Sequence, residues 1–232
     1  MKEETLRVLT ETLKLSKATN RLELVDIASS AKVSESFAKR TLTTALDEAD
    51  NAWVSLNPRL RIQLALDVAR SGRLRDAANV LTWQEFEKLT EECLKEAGFE
   101  AKRNVRVKGE GRAWQIDVVG LRGELVLAID CKHWNTPGHL SRFKMPASHQ
   151  RHAILHLLAT LTNRMTDRNT GLQALPVILT LREPPTQLSA DAILVSADRF
   201  PNFLSAVTPY DEDLPFIAST PATVENPMSQ SS

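Results

Sequence analysis

Two stretches decide the fold: Trp114-Gln115-Ile116-Asp117-Val118-Val119 and Leu125-Val126-Leu127-Ala128-Ile129-Asp130-Cys131-Lys132. Both are short and mostly apolar, with turn residues at 120–123 between them, so each reads as a strand. In the second, Leu125, Leu127, Ile129 and Cys131 share one face and Val126, Ala128, Asp130 and Lys132 the other. A carboxylate and an ammonium at the end of a buried strand are expensive if they are only structural. Asp117 interrupts the first strand in the same way. If the two strands pair as a meander, Asp117 and Asp130 sit side by side. Adjacent carboxylates repel unless a cation lies between them, and a hard divalent ion with oxygen ligands suits that arrangement. Lys132 then stands where it can hold an anionic group or help activate a water. Removing a partly buried charge such as Lys132 is expected to hold or slightly raise stability.

The flanking sequence gives these strands a setting. Thr82 is placed to cap a helix over 83–97, with Phe86, Leu89, Cys93, Leu94 and Ala97 as its buried stripe and Gly98 as its stop. Strands follow over 99–107, 113–119 and 124–132, with a turn at 108–111. A loop containing Pro137-Gly138 leads to a long helix over 147–165. Strands at 176–181 and 192–195 and a short helix over 198–206 complete the order. Helix, three strands, helix, strand, strand predicts a mixed α/β domain with a crossover helix.

Upstream, helical spacing predicts helices over 2–16, 22–30, 35–48, 59–70 and 75–80. Ser34 caps the third, and 53–56 reads as extended. This layout, carried by Asp26-Ile27-Ala28, Val33-Ser34, Ala38, Leu42 and Leu46, resembles winged helix-turn-helix regulator domains. The resemblance implies that Glu35, Ser36, Lys39, Arg40 and Thr43 face DNA. Domains of this shape also serve as protein–protein modules.

The second half resembles the PD-(D/E)xK nuclease superfamily, and within it Mrr-like and archaeal restriction endonuclease-like domains. The residues that carry the resemblance are Trp83-Gln84-Glu85-Phe86-Glu87, Gly98-Phe99, Ile116-Asp117 and Ile129-Asp130-Cys131-Lys132. It implies a restriction endonuclease-like αβββαβ core over 81–206 with a mixed central sheet, behind a winged helix-turn-helix domain over 1–80. It implies a metal-dependent DNA endonuclease in which Glu87, Asp117 and Asp130 bind magnesium (or manganese), Lys132 positions or activates the attacking water, and Gln150 supports the site. Ile116 stands where the pattern has proline, and Asp130 where glutamate is more frequent. Glu85 and Glu91 compete with Glu87, but Glu87 directly follows Phe86.

The 29 basic and 29 acidic residues balance to a net charge of zero, which argues against an indiscriminate polycation. The distribution is uneven: residues 101–168 carry a net +7, enough to attract a phosphate backbone locally. Arg103, Arg106, Lys108 and Arg112 flank the first hairpin turn as a phosphate clamp or as a solvated edge. His149, His152 and His156 share one helix face, where they line the polar flank near DNA or hold zinc. Cys131 points by parity to the core, as does Cys93 on its helix, while Trp114 and Trp134 are core or base-stacking residues. Two cysteines fit a reducing, cytoplasmic setting. No apolar run approaches the roughly 20 residues of a membrane span, and residues 1–5 lack a secretory h-region. Residues 207–232 turn Pro/Ser/Thr-rich and acidic and are expected to be partly disordered. Two rival readings remain: a DNA-binding regulator with a non-catalytic nuclease-like scaffold, and a Holliday-junction resolvase-type enzyme, which a homodimer would favour.

Overall fold

The computed structural model describes residues 1–46, 52–134, 139–162 and 171–219. Helices α1 (Glu3–Leu15), α2 (Leu24–Ala31), α3 (Glu35–Leu46), α4 (Pro58–Arg70) and α5 (Leu74–Val80) form the N-terminal lobe, with strands β1 (Arg21–Glu23) and β2 (Trp53–Ser55). Ser34 Oγ accepts from Phe37 N at 3.3 Å at the start of α3, as its position predicts. One expected helix is corrected. Leu22 and Glu23, read as the opening of a helix over 22–30, pair instead with β2 through Leu22↔Val54 and Glu23↔Trp53. Leu22 is apolar and fits either period; its Cα partner Val54 draws it into a strand.

Thr82 and Glu85 form a capping box that opens α6 (Trp83–Glu96). Then come β3 (Glu100–Gly109), β4 (Arg112–Arg122), β5 (Leu125–Lys132), α7 (Ser141–Thr162), β6 (Gln173–Thr180), β7 (Leu188–Ser189), β8 (Ala192–Ser196), α8 (Phe200–Ala206) and β9 (Ile217–Ala218). The sheet order is β3-β4-β5-β6-β8-β7, with β9 beside β6. The β5–β6 and β6–β8 pairs are parallel and the others antiparallel, which makes the sheet mixed as expected. Two segments are longer than their periodicity suggested. Helix α7 begins at Ser141 and runs through Pro146, close enough to its start that few helical hydrogen bonds are lost. Strand β6 begins before Pro176; the β8 ladder starts only at Val177, so that proline lies at an edge on that side.

Helices α6 and α8 cover one sheet face and α7 the other. The first face belongs to an apolar cluster that continues unbroken into the N-terminal lobe, from Leu6 through Phe86 and Leu127 to Val207. The expected boundary near residue 80 therefore interrupts no packing. Arg61 of α4 ties the lobes across it. Only 6% exposed, it donates to Glu85 Oε1 at 2.6 Å, to Leu13 O at 3.2 Å, and to Ser16 Oγ. Within the tail expected to be partly disordered, residues 207–219 pack on the fold. Val207 is buried, Leu214 and Phe216 pack on the main cluster, and Ile217 pairs with Ala174. These apolar residues outweigh the acids around them; 220–232 lie outside the described residues, as do Pro137-Gly138 and 163–165.

Candidate active site

The site forms where β4 parts from β5. Their ladder ends at Val118↔Ile129, whereas β5 stays paired with β6 as far as Lys132↔Thr180. At the same point β3 and β4 change faces. Ala101 packs toward α6, where Arg103 donates to Glu91 at 3.0 Å, but Val105 packs on the α7 side. On β4, Trp114 and Ile116 belong to the α7-side cluster, whereas Val118 belongs to the α6-side one. The switch falls at Asn104, with φ +52°, and at Asp117, which the flanking pairs Arg103↔Val118 and Val105↔Ile116 place opposite it. Asparagine tolerates the left-handed conformation that turns the strand over. Asp117 Oδ2 then accepts from Cys131 N at 2.9 Å, taking the donor that the ended ladder would leave unmatched.

Lys132 Nζ donates to Asp130 Oδ1 at 2.9 Å and lies 2.7 Å from the buried Oδ2. Burial first, then the Asp130 charge, pushes the Asp117 carboxyl up to about 6, and a side-chain hydrogen bond to Asp130 adds to the rise. Glu87 on α6 is 4% exposed. Burial raises its carboxyl to about 7, and the Asp117 charge comes next. Asp117, Asp130, Lys132 and Glu87 thus share one electrostatic neighbourhood at the end of the sheet.

The competition among the α6 acids has a structural answer. Glu85 is held by Arg61 and by the capping box, and Glu91 by Lys88, Lys95 and Arg103. Glu87 forms no ion pair among the described residues, and Asp117, Arg103, Asp130 and Lys132 are the charges it feels. Gln150 lies on the sheet-facing stripe of α7, 1% exposed, with neither amide atom hydrogen-bonded. Phe143 and Ala147 pack on Ile178, the partner of Asp130 across the sheet, while Ala153 and Ile154 pack with Val126 and Ala128. Gln150 falls between the two groups, at the level of Asp130.

Among the described residues no three His, Cys, Asp or Glu side chains gather as a ready-made cation cage. The donor set still fits magnesium or manganese. Such ions bind through one or two carboxylates and keep several waters. Here two carboxylates meet, and the buried Gln150 amide, whose oxygen is unbonded, lies on α7 at the level of Asp130.

The hairpin clamp does not form as one surface. Arg103 turns to α6 and Glu91. By alternation from Val105 and Val107, Arg106 and Lys108 share that side, while Arg112 lies with Trp114 on the α7 side. Ordinary alternation separates Arg106 and Lys108 from Arg112, and the face switch at Asn104 puts Arg103 on their side. Trp114 is core, 2% exposed. Burial raises the thiols of both cysteines, Cys93 to about 12, as structural groups require. Trp134, half-buried, carries the Arg142 guanidinium 3.6 Å over its ring. In the other lobe Arg40 is exposed and Lys39 half-buried on α3. His149, expected on the polar flank of the long helix with His152 and His156, is exposed there. Burial, then the Arg112 and Lys132 charges, holds its imidazole below the ordinary range, and the Asp117 charge opposes them.

No curated protein matches the chain. Among solved structures, a protein of unknown function, AF1548, is 22% identical over 50% of this chain and 58% of its own, with a TM-score of 0.35. Protein VC1899 from Vibrio cholerae is 14% identical, with a TM-score of 0.36, over 87% of this chain and 49% of its own. The small subunit of the heterodimeric restriction endonuclease R.BspD6I is 12% identical, with a TM-score of 0.33, over 63% of this chain and 76% of its own. The chain thus spans between about half and three-fifths of the length of the first two. The family model Mrr_cat, described as restriction endonuclease, matches residues 78–169, from the end of α5 to just beyond α7. Over that stretch the chain is similar to the restriction endonuclease family of the Mrr_cat model.

Proposed function

We propose that the protein is a metal-dependent DNA endonuclease that hydrolyses phosphodiester bonds at the fork between β4 and β5. The observation that carries this reading is the meeting of Asp117 and Asp130, with the Lys132 ammonium 2.7 Å from the buried Asp130 Oδ2. A bound divalent cation would supply charge neutralisation and an activated water. Asp117 and Asp130 would hold it, and the Cys131 N–H keeps the Asp117 carboxylate aimed. Glu87 would add a third carboxylate from α6. Lys132 Nζ would orient the attacking water or stabilise charge on the phosphate, and Gln150 would support the same point from α7.

The helix-turn-helix of α2 and α3, with β1 and β2 beside it, supports a second role for the N-terminal lobe as a duplex-binding unit through Lys39 and Arg40. Lys39→Ala with Arg40→Ala should flatten the salt dependence of duplex binding by a log–log slope of roughly 2. An unchanged slope moves the lobe to the protein-interaction class.

The decisive experiment incubates supercoiled plasmid and branched DNA with the protein in magnesium, in manganese and in EDTA, beside Asp117→Asn. Cleavage in metal by the wild type only is the expected result. Binding without cleavage of either substrate in either metal overturns the proposal and favours the scaffold-regulator reading. Cleavage of branched DNA alone favours a resolvase-type enzyme.

A further inference from the structure

Beside the carboxylates, the β3–β4 hairpin and α7 lock together around Trp114. Its indole Nε1 donates to Gly109 O at 3.2 Å. His152 stacks on the ring at 5.5 Å with 4° between planes, and His149 and His156 approach it at 5.1 and 5.9 Å. The Arg112 guanidinium lies 3.5 Å from the ring centroid. Gly109 makes the lock possible, because a Cβ there would meet the His156 imidazole at 2.1 Å.

This arrangement fixes what the surface offers. Trp114 is 2% exposed, so no base can stack on it. What reaches solvent is Arg112 and His149, with His152 half-buried between hairpin and helix. Among the described residues Arg112 forms no ion pair. Glu110 lies 3.9 Å from His156 Nε2, and the Asp117 charge reaches His149 from the fork. The three imidazoles turn their rings to the indole rather than to one another, and none belongs to a metal-holding group among the described residues. A guanidinium held on a rigid ring beside imidazole N–H groups is a receptor for phosphate oxygens. Its position next to Gln150 makes it continuous with the fork that holds Asp117 and Lys132.

We propose that Arg112 and His149, backed by His152 and Trp114, form a phosphate-binding subsite that grips the DNA backbone beside the phosphate to be cut. This rests on the nuclease reading for its ligand, a phosphodiester strand, but not on cleavage. It also selects among the hairpin cations: the strand crosses the α7 side, away from Arg103, Arg106 and Lys108.

The test is fluorescence anisotropy of a labelled duplex in EDTA across a salt series, with wild type, Arg112→Gln, Arg112→Lys, the double variant Arg112→Gln/His149→Ala, and Arg199→Gln. Arg199 lies across the sheet on the α8 side and is an exposed cation of equal charge, paired with Glu183. Arg112→Gln should weaken binding by roughly 10-fold and make the log–log salt slope shallower by about 1. The double variant should lose more, Arg112→Lys should recover the slope, and Arg199→Gln should match the wild type. All four variants are surface changes, and circular dichroism checks their fold. If Arg112→Gln binds with the wild-type slope, or loses no more than Arg199→Gln, the subsite is overturned even where the wild type cleaves DNA. If the wild type binds no duplex, it is also overturned. If no DNA is cleaved but Arg112→Gln still flattens the slope, the subsite stands and the nuclease reading fails.

Discussion

Lys132→Ala probes the charge balance on which the site depends. The ammonium lies 2.7 Å from Asp130 Oδ2, and the two side chains are 25% and 15% exposed. Exposed ion pairs contribute up to about 1 kcal/mol, whereas breaking a fully buried one costs about 3–5 kcal/mol. This pair lies between those limits. Its loss also leaves Asp130 facing Asp117, whose carboxyl burial and that same neighbour already hold at about 6. In EDTA the variant should therefore be less stable by about 2 kcal/mol, which for a chain of this length lowers Tm by roughly 4–8 °C. Sequence reasoning alone expects no loss; the observed pair reverses the sign. A divalent cation replaces the missing positive charge between the carboxylates, so magnesium should raise Tm more in the variant than in the wild type. Cleavage in magnesium should still fall by roughly 10²-fold, the scale for losing one electrostatic stabiliser of a transition state. Differential scanning fluorimetry in EDTA and in magnesium, beside a plasmid-nicking assay, reads all three quantities. Equal stability of the two proteins in EDTA, or equal magnesium shifts, refutes the reasoning.

Other perturbations reach other parts of the argument. Glu87→Gln should stabilise the metal-free protein at pH 8 by about 2 kcal/mol, and the gain should vanish below about pH 4.5. The sign follows from a folded carboxyl raised from 4.5 to about 7: the wild type keeps its stability while that group is protonated and loses it as pH rises through this window. Parallel Tm-against-pH curves for the two proteins would contradict it. Arg61→Met leaves Glu85 without its guanidinium and should cost about 3–4 kcal/mol in urea unfolding; a midpoint equal to wild type would mean the lobes are not joined there. Gly109→Ala should displace the His156 ring and cost about 1–3 kcal/mol, read by thermal melting; an unchanged melt would deny that close approach. Asp117→Asn should abolish the magnesium-induced Tm shift, and a wild-type shift in that variant would remove Asp117 from the cation site.

Much of the fold was legible because its signals are local. Thr82 and Gly98 bracket α6 nearly to the residue, and β5 shows its two faces in plain alternation. What escaped depends on partners distant in sequence. Leu22 belongs to a helix by period and to a strand by its neighbour Val54. Leu214, Phe216 and Ile217 are three apolar residues in an acidic tail, and only the surface they cover shows that they pack. Strand β6 begins before the expected 176, and Pro176 is harmless within it because the β8 ladder has not begun there.

The site was legible for the same reason that the hairpin clamp was not. Alternation along β5 places Asp130 and Lys132 on one face without reference to any other strand, and the structure keeps them there. Alternation along β3 would have put Arg103 and Val105 on the same face too, but Asn104 turns the chain over between them. A single left-handed asparagine is invisible to a period-two reading, and every side chain beyond it changes sides. The same turn frees Asp117 from regular alternation and directs its carboxylate to Cys131 N and Asp130. The irregularity that separates Arg103 from Arg112 is therefore the one that brings Asp117 to Asp130. A substitution that forbids the left-handed conformation, Asn104→Val, should cost roughly 1–3 kcal/mol through backbone strain. Because it acts through the turn, it should also weaken the magnesium-induced Tm shift, although residue 104 carries no charge and need touch no cation. Asn104→Gly, which accepts the conformation freely, should keep that shift. If both variants respond to magnesium as the wild type does, the turn at residue 104 does not position Asp117.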